Sequence, residues 1–312
     1  MNKIKVKAPC SSANLGSGFD VFGLALEAFH DTLTAEIVDA DIGITVEYKG
    51  LGAEGIPTAL ERNTAGLVAK TLVANRHVAI KILVEKGIPL KMGLGSSGAT
   101  AAACAVALNE LLGLGLSKNE VVKAAAMGEV AAAGASHADN VAASVLGGFT
   151  IVQSWGDELY VARLDPPRNL EVALALPLIE TPENKTAKAR AVLPRSVGFT
   201  DAVANARNAA SVVAGFHLGD VEMIGRGMTD LIVEPARKQL IPGFDSVKKA
   251  AFNAGAAGVA ISGAGPAVIA VVDSAKKSTA NVASAMKEAF ETEGVKCQAR
   301  CTKPSLTGVV KA

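Results

Sequence analysis

Aromatic side chains are scarce in this chain. Phe, Trp and Tyr make up 4% of its 312 residues, and there is a single Trp. A core short of rings has to be filled by Ala, Val, Leu and Ile. Half of the residues are hydrophobic, which suffices for a sizeable interior and excludes a disordered chain. An excess charge of either sign is also missing: 31 Lys and Arg stand against 30 Asp and Glu, for a formal net charge of +1. A dominant nucleic-acid or polybasic membrane role needs a basic surplus, and none exists. The four cysteines, Cys10, Cys104, Cys297 and Cys301, are too few and too scattered for a disulfide scaffold. Cys297 and Cys301 have no second Cys or His cluster nearby to complete a zinc site. No run is apolar and long enough to read as membrane-spanning: residues 98–116 are interrupted by Asn109, Glu110 and several glycines. Residues 1–6 alternate polar and apolar like a first strand rather than a secretory leader. A soluble, cytoplasmic protein is expected.

Glycine is plentiful, at 31 residues, and Ala runs through every long segment. Alternation predicts strands over residues 3–8, 33–38, 42–48 and 77–84. Asn63 predicts the cap of a helix running to about Asn75, and Ser117 with Glu120 three positions on is a capping box for a helix to about Ala132. Ala99 to Leu112 has strong helix formers and no proline. Strands are predicted over 149–153, 159–164, 171–176, 259–262, 268–272 and 295–301, and helices over 200–216, 244–254 and 275–293. Asp165-Pro166-Pro167-Arg168-Asn169 is the best linker, dividing the chain into residues 1–164 and 165–312. Strands cluster with helices without regular alternation, so the expected class is α+β in two domains rather than a doubly wound sheet.

Gly93-Leu94-Gly95-Ser96-Ser97-Gly98 matches G-x-G-x-x-G, yet the downstream segment is helix, capping box and helix, not the βαβ unit with a ribose-binding acid that a dinucleotide site requires. A Walker loop fails too, since no Gly-Lys-Ser/Thr comes after it. The remaining reading is a glycine loop feeding a helix start with two serines at its mouth, where free N–H groups and the dipole favour phosphate; a tight turn needing positive φ is the alternative. Glu129 sits amid small apolar residues, and a carboxylate buried there needs a cation or a partner. Asn14 to Asp20 alone reads as a polar turn. His137 alone reads as a hydrogen-bonded structural histidine. Ser262-Gly263-Ala264-Gly265-Pro266, between two strands, implies close approach of another loop or a ligand.

Taken in order, these segments resemble the galactokinase, homoserine kinase, mevalonate kinase and phosphomevalonate kinase (GHMP) superfamily, and within it the homoserine kinase family. Residues 9–23, from Pro9 through Asn14-Leu15-Gly16-Ser17-Gly18-Phe19-Asp20, are similar to P-x-T/S-x-A-N-L-G-x-G-F-D. Residues 89–99 carry G-L-G-S-S, residues 137–141 carry H-A-D-N-V, Glu234 to Pro242 resembles E-P-x-R-x-x-L-I-P, and Ser262 to Pro266 is the third superfamily motif. Lys91-Met92, Ser136 and Ala267 depart from the family pattern, and the first motif lacks the lysine of the mevalonate kinase and galactokinase branches. The resemblance implies a two-domain GHMP fold, with an amino-terminal ribosomal-protein-S5-like ATP-binding domain and a carboxy-terminal ferredoxin-like α/β sandwich. It implies ATP-dependent phosphorylation of the L-homoserine hydroxyl in threonine biosynthesis, with a shikimate- or mevalonate-type kinase as the alternative, and a homodimer.

The same resemblance implies a role for individual residues. Pro89, Leu90, Lys91, Met92, Gly93, Leu94, Gly95, Ser96, Ser97, Gly98 and Ala99 contact ATP, and Ser97 with Glu129 holds Mg²⁺. Arg190 and Arg237 match a carboxylate with paired hydrogen bonds. Asp20 and Asp139 offer charge to the ammonium, Asn14 and Asn140 orient the hydroxyl, and His137 adds a polar contact. Asp139 is either the base that takes the hydroxyl proton or a group that only binds the amine.

Overall fold

A computed structural model describes residues 2–39, 43–74, 76–133, 138–155, 158–181 and 185–312. The amino-terminal half runs β1 (Lys3–Ala13), β2 (Phe22–Val38), β3 (Gly43–Gly50), α1 (Thr64–Val73), β4 (Ala79–Lys86), α2 (Ser96–Leu111), α3 (Lys118–Ala133), α4 (Ala138–Leu146), β5 (Phe149–Trp155) and β6 (Glu158–Leu164). The carboxy-terminal half runs β7 (Leu170–Pro177), α5 (Lys185–Ala191), α6 (Phe199–Leu218), α7 (Val221–Gly227), α8 (Val233–Arg237), α9 (Phe244–Asn253), β8 (Gly258–Ile261), β9 (Val268–Asp273), α10 (Thr279–Thr292), β10 (Cys297–Thr302) and β11 (Val310–Lys311).

Two sheets result among the described residues. The first has the order β11-β1-β2-β4-β3, with β5 also pairing β2 and β6 pairing β5; the second has the order β10-β7-β9-β8. The tail crosses back, since β11 pairs antiparallel with β1 of the first sheet. Residue 42, in the expected third strand, and Asn75, at the expected end of the first helix, lie outside the described residues.

The small-residue core has a direct structural expression in α2. Ala99, Ala101, Ala102, Ala103, Cys104, Ala105 and Ala107 are all buried. A helix buried on every face must be enclosed, and α2 packs on β1 and β2 while α1, α3 and α4 surround it. Three of the aromatic rings cluster together: Phe149 of β5 stacks on Phe216 of α6 at 3.9 Å and meets Phe22 edge-on at 5.1 Å.

Two expectations change, and one segment gains an element. The second strand is 17 residues long and starts at Phe22, because pairing with β1 and β5 extends it well before the alternating stretch. The helix expected from Ala99 begins at Ser96, directly after Gly95 in the left-handed region at φ 64, so Ser96, Ser97 and Gly98 form its first turn. The Ala138-Asp139-Asn140-Val141 segment, given no element from the sequence, is the start of a helix. The two expected caps are present: Asn63 Oδ1 accepts from Gly66 N at 2.6 Å, and Ser117 and Glu120 bond reciprocally at 2.8 and 3.4 Å.

Candidate active site

The three glycine segments, far apart in the chain, are sewn together. Ser262 Oγ donates to Gly93 O at 2.7 Å and lies 2.9 Å from Ser12 Oγ, Gly263 N donates to Ala13 O at 3.1 Å, and Ala267 N donates to Met92 O at 3.0 Å. The position of Ala267, a departure from the family pattern, therefore contributes its backbone to the junction. Glycine is compulsory at two points. Gly93 has φ 83, and a Cβ there would lie 2.2 Å from Ser262 O; Gly95 has φ 64, and a Cβ would lie 2.1 Å from Ser11 Oγ.

The seam opens into a cleft of about 800 Å³. Its floor is the start of α2, whose first-turn N–H groups have no helical acceptor and whose dipole is positive there. Ser97 and Glu129 meet on this floor: Ser97 Oγ donates to Glu129 Oε2 at 3.0 Å, while Glu129 Oε1 is buried with no hydrogen-bond partner. Burial pushes the Glu129 carboxyl up to about 7, with Asp139 adding to the rise and the Ser97 hydroxyl and Lys86 opposing it. A buried, orphaned carboxylate oxygen beside a hydroxyl is a donor set that fits a hard divalent cation.

One end of the cleft is charged. Arg237, 4% exposed, donates from Nε to Ala189 O at 3.0 Å and from Nη1 to Gly263 O at 3.2 Å. Arg190 Nη2 donates to both carboxylate oxygens of Asp20, at 2.9 and 2.7 Å. Both guanidinium groups lie over the Phe19 ring, at 4.9 Å for Arg237 and 5.4 Å for Arg190. Asp139, at the start of α4, is buried; its Oδ1 accepts from Asn140 N at 2.7 Å, and burial lifts its carboxyl to about 6. At the other end Tyr48 donates to Asn63 Oδ1 at 3.1 Å, and both side chains line the wall.

The structure thus brings Asn14, Asp20, Asp139, Asn140, Arg190, Arg237, Ser97, Glu129 and residues 89–97 to one cleft, while Gly98 and Ala99 turn inward in α2 and lie outside its lining. His137 lies outside the described residues. The two asparagines are already engaged. Asn14 donates to Gly263 O at 2.9 Å and accepts from Asp20 N at 3.0 Å, and Asn140 Oδ1 accepts from Ser11 Oγ at 2.9 Å.

Sequence reasoning missed Phe19, Lys86 and Lys185. The Lys86 ammonium, buried under the glycine loop, pairs with Asp31 and donates to Ser96 O at 2.9 Å and Thr100 Oγ1 at 2.8 Å. Asp31 in turn accepts from Gly87 N and Ile88 N at 3.0 and 3.1 Å. The one signal for it in the sequence is a lysine at the end of a strand that enters a glycine loop.

Comparison with known proteins bears on this geometry. Residues 62–148 match the family model for the GHMP kinases N terminal domain, and residues 212–311 match that for GHMP kinases C terminal. The chain is 44% identical over 300 residues to a homoserine kinase of Natronomonas pharaonis, covering 96% of this chain and 97% of that one. It is similar to the crystal structure of homoserine kinase from Cytophaga hutchinsonii, with a TM-score of 0.91, 36% identity, and coverage of 100% and 98% of the two chains. Mevalonate diphosphate decarboxylase from Staphylococcus aureus, at a TM-score of 0.70 and 15% identity over 100% and 98%, shares the fold alone.

Proposed function

The chain belongs to the GHMP kinase family, and from that premise we propose that it transfers the terminal phosphoryl group of ATP to the side-chain hydroxyl of L-homoserine. One observation carries this reading: an anion-binding helix start with a Ser97–Glu129 pair opens into the same cleft as two guanidinium groups and a buried carboxylate. The first half of that arrangement suits a triphosphate. The second suits an amino acid.

Phosphoryl transfer depends on alignment and charge stabilisation more than on a strong base. The N–H groups of residues 93–97 hold the phosphates, and the nucleoside extends toward Tyr48 and Asn63, since the opposite end is charged. Ser97 and Glu129 would hold Mg²⁺, which neutralises phosphate charge when bound. Arg237 and Arg190, stiffened on Phe19, take the homoserine carboxylate; Asp20 and Asp139 face its ammonium. Asn14 serves mainly by locking the first and third glycine segments, leaving one amide N–H for the hydroxyl. Asn140 serves through its amide N–H group. Asp139, held near 6 by burial, is ionised at neutral pH and can accept the hydroxyl proton. Residues 1–164 form the ATP-binding half and 165–312 the other in this reading, in a homodimeric, cytoplasmic enzyme of threonine biosynthesis; among the described residues no helix is long and apolar enough to cross a membrane.

A coupled assay of ATP-to-ADP conversion with Mg²⁺ across homoserine, shikimate and mevalonate tests the reading. Turnover with homoserine alone is the expected result. Turnover only with shikimate or mevalonate, or with none of the three in folded protein, refutes it.

A further inference from the structure

Lys185, the first residue of α5, lines the cleft, and no motif pointed to it. Its ammonium donates to the carbonyl of Gly265, a neutral acceptor. That carbonyl oxygen lies 2.8 Å from where a Cβ on Gly93 would sit, so the ammonium stands beside the first residue of the phosphate loop, across the seam between the second and third glycine segments.

Charge compensation separates Lys185 and Arg237, both held by backbone carbonyls, from the ion-paired cations of the cleft. Lys86 is paired with Asp31, Arg190 with Asp20, and Lys91 is exposed. No carboxylate among the described residues pairs with Lys185, and the charge that most affects it is another cation, Arg237. Burial and that neighbour lower its ammonium to about 8. Two cations in one cleft wall, each held by backbone carbonyls and neither paired with a carboxylate among the described residues, leave N–H donors to spare and call for anionic ligands. The arginine fork fits a planar carboxylate, whereas a lysine acts as a point charge on phosphate.

We propose that Lys185 binds the terminal phosphate of the nucleoside triphosphate and stabilises the charge on the phosphoryl group as it transfers; this rests on the phosphotransfer reading of the cleft. In that step the bond from the bridging oxygen to the terminal phosphorus breaks, with its electron pair leaving on the nucleoside diphosphate. The bond from the substrate hydroxyl oxygen to phosphorus forms, and the hydroxyl proton passes to the Asp139 carboxylate. Lys185 stays protonated throughout and lies against the equatorial oxygens.

The experiment compares wild type, Lys185→Met and Lys185→Arg. Lys185→Met is expected to lower kcat roughly 100-fold, as loss of one preorganised donor to a transition-state oxyanion does, with KM for homoserine changed by less than about threefold. Calorimetry with AMP-PNP and ADP is expected to show the triphosphate analogue losing about tenfold in affinity while ADP is unaffected; Lys185→Arg recovers most of both losses. In wild type, acetylation of Lys185, read by mass spectrometry, is blocked by AMP-PNP and not by ADP, a readout that needs no variant to fold. Unchanged AMP-PNP preference, a defect confined to homoserine KM, or equal labelling with both nucleotides overturns the proposal. Wild type that binds AMP-PNP but does not turn over homoserine refutes the homoserine reading, while the calorimetry and labelling still decide the role of Lys185.

Discussion

The two ion pairs at the edges of the cleft are built on opposite principles. Lys86 and Asp31, with side chains 2% and 0% exposed, lie beneath the phosphate loop and tie β2, the end of β4 and the first turn of α2 into one block. Arg190 and Asp20, 34% and 40% exposed, stand at the charged end, where one side chain can exchange partners. In the proposed reading, phosphate is a fixed shape that backbone N–H groups can be preset to hold, and that end is glycine-bound and internally neutralised. The zwitterionic substrate of that reading needs charged side chains that are partnered without it and re-paired with it. The phosphate end then stores its specificity in the backbone and the charged end in side chains.

This contrast can be broken first at the buried pair. Asp31→Ala leaves an ammonium buried without its counter-ion and is expected to cost about 3–5 kcal/mol in denaturant unfolding. A loss below about 1 kcal/mol would mean that the block does not depend on the pair. Next in size, Arg237→Ala should weaken homoserine by about 1.5–3 kcal/mol, roughly ten- to hundredfold in KM, with Arg190→Ala toward the lower end because that side chain is less buried. Normal homoserine affinity in both variants would remove the carboxylate clamp.

The pH dependence comes third. The Asp139 carboxyl, raised by burial from 3.8 to about 6, holds a proton in the folded chain that the unfolded chain has already released. Its contribution to stability therefore falls as pH rises from about 4 to 6, while its capacity as a base appears only as pH passes about 6. For wild type kcat/KM should drop as pH falls below about 6, and Asp139→Asn separates the two roles: a base loses turnover, a binding group loses apparent affinity. The smallest effect belongs to Asp20→Asn, whose half-exposed pair should be worth only about 0.2–1 kcal/mol of stability and less at high salt, while homoserine affinity falls by more than stability does.

Much of the site was legible in the sequence because its parts are local. Gly93 and Gly95 are needed for positive φ and close approach, and such needs leave ordered motifs. Asn63, Ser117 and Glu120 announce helix starts by side-chain chemistry within three residues. The Lys86–Asp31 pair was not legible, because its partners are brought together only by the register of β2 on β4, in which Glu85 faces Thr32. Lys185 was hidden for the same reason: only the seam between Gly93 and Gly265 gives it a role, and that seam is tertiary. The sequence reading assigns no element over Ala138–Leu146; in the structure it is a helix whose first turn has Asp139 accepting its own neighbour's N–H.

The most direct test compares homoserine with 3-aminopropan-1-ol, the same molecule without its carboxylate, in wild type and Arg237→Ala. Wild type should prefer homoserine by at least roughly ten- to hundredfold in kcat/KM, and the preference should collapse in Arg237→Ala. An equal rate on both alcohols in wild type, or a preference that survives the substitution, would contradict the assignment of the charged end to an amino-acid carboxylate.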